Sequence, residues 1–200
     1  MSWEYEEFDK NEKLTGYTKT SVTNVKSNGS AVEYTMKIES DDAKRKEKNH
    51  FEREVTYSCE DGILKMNLDN LIPAETMQGM ENMTVDIKQN GVVIPKSLEA
   101  GQTLADGSII MNASTNGIKV MGIEVYITDR KVEKIEKLTT TAGTFDCAVV
   151  SYKVSTKMGF VNTTGSGKDW YAKEVGCVKS ETYDKKGELS NRTVLTSFSK

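Results

Sequence analysis

At 200 residues and 22.3 kDa the chain is long enough for one domain with a real core, since a chain of this size buries roughly 70% of its unfolded surface. Hydrophobic residues make up 36% and charged residues 28%, a balance that suits thin β structure with one wet face. Lys+Arg 27 against Asp+Glu 30 gives −3, which excludes the basic footprint of a nucleic-acid binder, and one histidine with three cysteines leaves little material for metal or nucleophile chemistry.

The first residues, Met1 to Phe8, are acidic and aromatic and lack the basic and apolar regions of a signal peptide. No stretch approaches the ~18–20 apolar residues of a membrane helix. The chain as it stands reads as soluble; a mature form of an exported protein fits equally well.

From there the dominant period is two. In Ser30 to Ile38, Val32, Tyr34, Met36 and Ile38 share one face while Glu33, Thr35 and Lys37 share the other. The same reading covers Trp3–Phe8, Thr15–Val25, Phe51–Cys59, Gly62–Met66, Thr84–Lys88, Ser108–Asn112, Ile118–Ile127 and Arg130–Leu138. It continues through Thr144–Thr156, Val175–Tyr183 and Glu188–Phe198, so about ten strands are expected. Between them stand Asn28-Gly29, Asp61-Gly62, Asn90-Gly91, Asp106-Gly107 and Asn116-Gly117, pairs that supply the positive φ of tight hairpin turns. The segment 69–83 departs from this pattern. Its Leu71, Ile72, Met77, Met80 and Met83 are spaced as on a helix face, with Pro73 in the first turn, and predict one short helix. Ser40 to His50 mixes acids and bases as a solvated tip without a coherent patch, and the Gly/Thr/Ser-rich run Gly159–Lys168 reads as a loop. No linker or internal repeat divides the chain.

Few residues invite chemistry. His50, the only imidazole, lies among charges with no evident partner or pocket and reads as a surface histidine. Carboxylate pairs such as Asp41 and Asp42 occur at tips, where such groups are ordinarily just solvated. Gly165-Ser-Gly167-Lys168 lacks the spacing of a phosphate loop. Cys59, Cys147 and Cys177 show no metal spacing and read as small packing residues in strands, with a single disulfide as the alternative. Trp170, and Met77, Met80 and Met83 on the expected helix, read first as core; the alternative is the wall and pliable lid of an apolar groove.

Three passages carry a family resemblance. Thr139-Thr-Thr-Ala-Gly-Thr-Phe-Asp-Cys147, Trp170-Tyr-Ala-Lys-Glu-Val-Gly-Cys-Val-Lys179, and Ile94-Pro95 with Leu98-Glu-Ala-Gly-Gln-Thr-Leu104 together resemble the TapB-like family. These are small exported proteins of Bacteroidetes, of unknown function. The resemblance spans about residues 90–198. It implies an antiparallel β fold, a periplasmic or cell-surface location and no established enzymatic activity. The chain departs from the family pattern at Glu174, where glycine is usual, which puts a special backbone conformation there in doubt. At Cys177 a leucine-type residue is usual, which implies a reduced packing thiol; if a disulfide forms, Cys59 with Cys147 is preferred. In coarse outline the half-open barrels of LolA/LolB-type lipoprotein carriers look similar.

The expected fold is therefore mainly β: a single domain over residues 1–200, forming a strongly curved antiparallel sheet or half-open β-barrel with one short helix. The expected function is non-catalytic and envelope-associated, with an apolar ligand or lipid-like group in the concave face and Met77, Met80, Met83 and Trp170 as the binding residues. The alternative is a structural or interaction module working through an exposed surface or sheet edge. No cofactor, metal or nucleic acid is expected, and the expected partner is an apolar small molecule or an envelope protein.

Overall fold

The computed structural model describes residues 1–66 and 83–200, apart from the side chain of Asn28. Thirteen strands form one antiparallel sheet: β1 (Ser2–Asp9), β2 (Leu14–Asn28), β3 (Ala31–Asp42), β4 (Phe51–Glu60), β5 (Ile63–Met66), β6 (Thr84–Asn90), β7 (Val92–Ile94), β8 (Gly107–Thr115), β9 (Ile118–Thr140), β10 (Gly143–Met158), β11 (Val161–Ala172), β12 (Gly176–Tyr183) and β13 (Leu189–Ser199). Their spatial order is β6-β8-β9-β10-β11-β12-β13-β1-β2-β3-β4-β5-β7. Most neighbours in the sheet are neighbours in the chain, as the short turns require, and β1 pairs with β13 to bring the two termini together.

The seam dictates the curvature. Strands β6 and β7 lie at opposite edges of the sheet, yet only Gly91 separates them in the chain. Consecutive Cα atoms are about 3.8 Å apart, so the two edges must meet. Residues 84–94 run as one extended segment that pairs first with β8 and then with β5, and the sheet curls into a nearly closed barrel. The Asn90-Gly91 pair is thus a partner switch and not a hairpin. Asn116-Gly117 and Asp61-Gly62 do form tight turns, with positive φ at both residues of each pair.

The count of about ten strands falls short for identifiable reasons. Strand β7 has three residues. Strand β11 occupies the Gly/Thr/Ser run expected to be a loop; only residues 159 and 160 turn. Gly165 and Gly167 stand inside it because a Cβ at Gly165 would meet the Tyr183 carbonyl at 2.5 Å, and one at Gly167 would meet the Tyr152 ring at 2.3 Å. The expected helix over 69–83 lies outside the described residues except for Met83. Among the described residues the only helical piece is the turn Glu47–Asn49.

Strand β9 joins two expected strands into one of 23 residues. Asp129, at φ 54, sits at the register break opposite β10. Before it Ile123, Val125 and Ile127 are buried; after it Arg130 and Val132 are. An extra residue reverses the inward parity of a strand, and the core changes neighbours at that point. One cluster gathers Val92, Ile94, Ile109, Met111, Ala113, Ile123, Val125 and Ile127, with Leu64, Met66 and Met83 against it, and holds the seam shut. A second gathers Cys147, Val149, Trp170, Ala172, Val178 and Leu195. A third, smaller one is formed by Leu104, Val132, Ala148 and Val150. Strand β10 is therefore buried on both faces between Cys147 and Val150. The three cysteines are free thiols in strands β4, β10 and β12, so the Cys59–Cys147 bridge does not form.

Candidate ligand-binding face

The first half of the chain builds one wall of the interior. Along β4, Phe51, Arg53, Val55, Tyr57 and Cys59 alternate with exposed Glu52, Glu54, Thr56, Ser58 and Glu60. Register places Ser40, Ile38, Met36, Tyr34 and Val32 of β3 directly opposite the first set. These side chains share a face with Leu64 and Met66, which pair with Cys59 and Tyr57 and reach the seam cluster. That face looks inward: Leu64 and Met66, which share it, pack against the seam cluster, and Val55 at its middle is buried. Of these β3 and β4 side chains only Val55 is fully buried, and none belongs to the three clusters. Apart from Arg53 and Ser40 the wall is apolar and aromatic, and it is half-covered.

The facing wall is polar. Asp169 of β11 accepts hydrogen bonds from Ser180 Oγ at 2.7 Å, Tyr171 Oη at 3.1 Å and Tyr152 Oη at 3.3 Å. Enclosure by protein raises its pKa; the three hydroxyl donors and the nearby Arg130 charge oppose that rise only in part. Enclosure likewise pushes the Tyr152 and Tyr171 phenols and the Cys177 thiol upward. Tyr5 Oη donates to the Cys177 carbonyl at 3.0 Å. Arg130, 2% exposed, donates from Nη1 to the carbonyls of Val93 at 3.1 Å and Ala105 at 2.6 Å, pinning β7 and the approach to β8 onto β9. The sequence reading missed this group, and its signal is visible only once 161–172 is taken as a strand: Asp169 then alternates in phase with Gly167 and Tyr171.

Of the four residues singled out in the sequence, Met83 packs against the seam cluster and Trp170 belongs to the second cluster, so these two are not brought together. Trp170 donates from Nε1 to Glu136 Oε1 at 2.7 Å, and Lys179 Nζ lies 4.3 Å from its ring centroid. Met77 and Met80 lie outside the described residues.

His50 is exposed as expected but has partners. Nδ1 stands 2.8 Å from Asp41 Oδ1 and Nε2 stands 3.0 Å from Glu52 Oε1. Both nitrogens facing carboxylates favour the doubly protonated ring, and the two hydrogen bonds raise its pKa. Glu39, His50 and Glu52 approach the spacing of a metal site. Lys37 Nζ fills that position instead, 3.3 Å from Glu39 and 2.9 Å from Glu52.

Fold and interior together define a class: all-β proteins made of one curled antiparallel sheet around a partly apolar, partly tyrosine-lined interior. Within it, the chain belongs to the DUF3108-like family, which matches over residues 1–195. It is similar to a Bacteroides fragilis protein described as exported and as having a YmcC-like fold, at 24% identity and TM-score 0.76, covering 100% of this chain and 95% of that one. It is also similar to a protein of Parabacteroides distasonis described as a lipoprotein, at 26% identity and TM-score 0.77, covering 98% and 93%. No curated protein matches. The TapB-like and LolA/LolB likenesses have no counterpart among these matches.

Proposed function

We propose that this is a non-catalytic protein of the bacterial envelope that holds an apolar or lipid-like molecule between the two interior walls. One observation carries the reading. Tyr5, Tyr152, Tyr171, Asp169 and Cys177 are enclosed enough for desolvation to shift them, yet each keeps accessible surface. Side chains enclosed by the barrel that still expose surface border a space. The β3–β4 wall offers that space Tyr34, Met36, Ile38 and Val55, and the opposite wall offers hydroxyl donors and a carboxyl group, the few polar points that orient a mostly apolar ligand. Met83 serves as a pliable apolar border; Trp170 is not required. The envelope location draws on the neighbours described as exported or as a lipoprotein.

Native mass spectrometry of protein purified from its own host tests the reading, together with thermal melts in long-chain fatty acids and lysophospholipids. A retained adduct is expected, as is a rise in Tm of about 5–10 °C at a hundredfold excess over Kd. Met36→Glu should abolish both while the outward-facing Glu54→Gln leaves them intact. No adduct and no shift with any of these amphiphiles would remove the ligand, leaving a module that works through its surface.

A further inference from the structure

Apolar side chains are conspicuous at one end of the barrel, where the β8–β9 and β10–β11 turns lie side by side. Residues 115–120 and 157–164 are exposed throughout, on both faces of their strands, so these two hairpins project beyond the packed body. A projecting hairpin has nothing to bury and is normally polar. These carry Ile118 and Val120 on one tip and Met158, Phe160 and Val161 on the other. Phe160, at the turn beside Gly159 (φ 59), is 107% exposed, and Met158 pairs with Val161 next to it. Adjacent strands bring the tips together, with Met158 opposite Ile123 of β9.

We propose that these two tips insert into the surface of a lipid bilayer. Their shape selects that occupant. The apolar groups stand on convex turns, and a protein partner would need a matching socket, whereas the headgroup–acyl boundary admits a side chain of any shape. Their charge agrees. Within 115–123 the only charged residue is Lys119, and within 155–164 it is Lys157, in a chain of net charge −3. Lys157 comes only within 4.0 Å of Glu124. Two apolar tips, each with a single lysine and no acid, suit a membrane that contains anionic lipid. This docking does not depend on a ligand in the interior.

Vesicle flotation of the full chain tests it, using phosphatidylethanolamine vesicles containing phosphatidylglycerol beside vesicles of phosphatidylcholine alone. The chain should float with the first and several-fold less with the second. Phe160→Ser, fully exposed and so neutral to folding by thermal melt, should weaken partitioning about tenfold or more, the effect of withdrawing one phenyl ring from an apolar phase. Phe160→Trp should bind, with the fluorescence of the introduced indole shifting to the blue. Met36→Glu should float like the wild type, which separates this proposal from the interior ligand. Three results would each overturn it: no flotation with anionic vesicles, flotation indifferent to Phe160→Ser, or a concentration-dependent dimer that Phe160→Ser dissociates in place of vesicle binding.

Discussion

Gly167→Ala probes the interior at a position where the outcome has a calculable sign. In most strand positions this change stabilises by about 0.4–1 kcal/mol through the unfolded chain, and Gly167 has no positive φ to forbid a side chain. Here the new Cβ would lie 2.3 Å from Tyr152 Cζ, 2.4 Å from its Oη and 2.6 Å from its Cε2. A stiff ring cannot yield by a few tenths of an ångström, so Tyr152 must swing away and abandon its hydrogen bond to Asp169. Overpacking costs about 1–3 kcal/mol, and losing a neutral or charge-assisted hydrogen bond adds about 0.5–3 kcal/mol. Set against the unfolded-state gain, Gly167→Ala should destabilise by about 1–5 kcal/mol in urea unfolding. The cause is isolated by a second background: in Tyr152→Ala the obstructing ring is gone, and the same glycine substitution should then be neutral or mildly stabilising. Equal cost in both backgrounds, or no cost in the wild type, would refute the placement of Tyr152 over Gly167.

Further outcomes follow from single residues. His50 is raised by Asp41 and Glu52, so its contribution to stability is fully present below its unfolded value near 6.5 and is lost as pH rises through the higher folded value. Glu52 is lowered by Lys37 and His50, so its contribution is present above its unfolded value near 4.5 and is lost as pH falls through the lower folded one. The stability difference between wild type and His50→Gln should therefore be largest between these two unfolded values and fade at alkaline pH, as read from urea midpoints; a pH-independent difference would exclude the ion pairs. Arg130→Met leaves the Val93 and Ala105 carbonyls without their donor and should cost about 2–5 kcal/mol, with hydrogen exchange accelerating first in β7; unchanged protection there would count against a clamp at the seam. Glu174 has φ 63, so Glu174→Gly should relieve strain and stabilise by up to about 1 kcal/mol in thermal melts, less the small contribution of its exposed pair with Lys200 at 3.0 Å; marked destabilisation would contradict the strained turn.

Much of the fold was legible because a strand with one wet face writes its period into its own residues. Phe51 to Glu60 alternates with Arg53 as the one exception and folds accordingly, and the Asn116-Gly117 turn states its conformation locally. What escaped depends on partners distant in the chain. The glycines of β11 look like loop residues until Tyr183 and Tyr152 are seen to press on them. Val92–Ile94 is too short to show a period, and its place is set by the seam. Glu174 keeps a left-handed backbone although glycine is absent, so the turn between β11 and β12 is imposed by the strands it joins. His50 looked isolated because the β3–β4 register, which aligns Ser40 with Phe51, was needed to bring Asp41 and Glu52 to its ring.

The interior was harder to read than the strands because facing is a property of register, and register changes at every bulge. Trp170 is the largest side chain of β11, and size alone suggests the principal interior. Its cross-strand partner is Val149, however, and both pack with Cys147, Leu195 and Trp3 in the second cluster. The hairpin end carrying Leu138, Ala142 and Phe145 covers that side, held where Thr141 Oγ1 donates to the Thr196 carbonyl at 3.1 Å. Asp169 and Tyr171, one residue to either side, take the opposite face, beside Val150 and Ala148. A one-residue slip of β11 would exchange the tryptophan for the carboxylate. It would place a charged group in the dry cluster and an indole among the hydroxyls of Tyr152 and Ser180, a double penalty that fixes the register observed. The polar pole of the interior is thus maintained by the apolar packing behind it: Trp170 on one face holds Asp169 in position on the other.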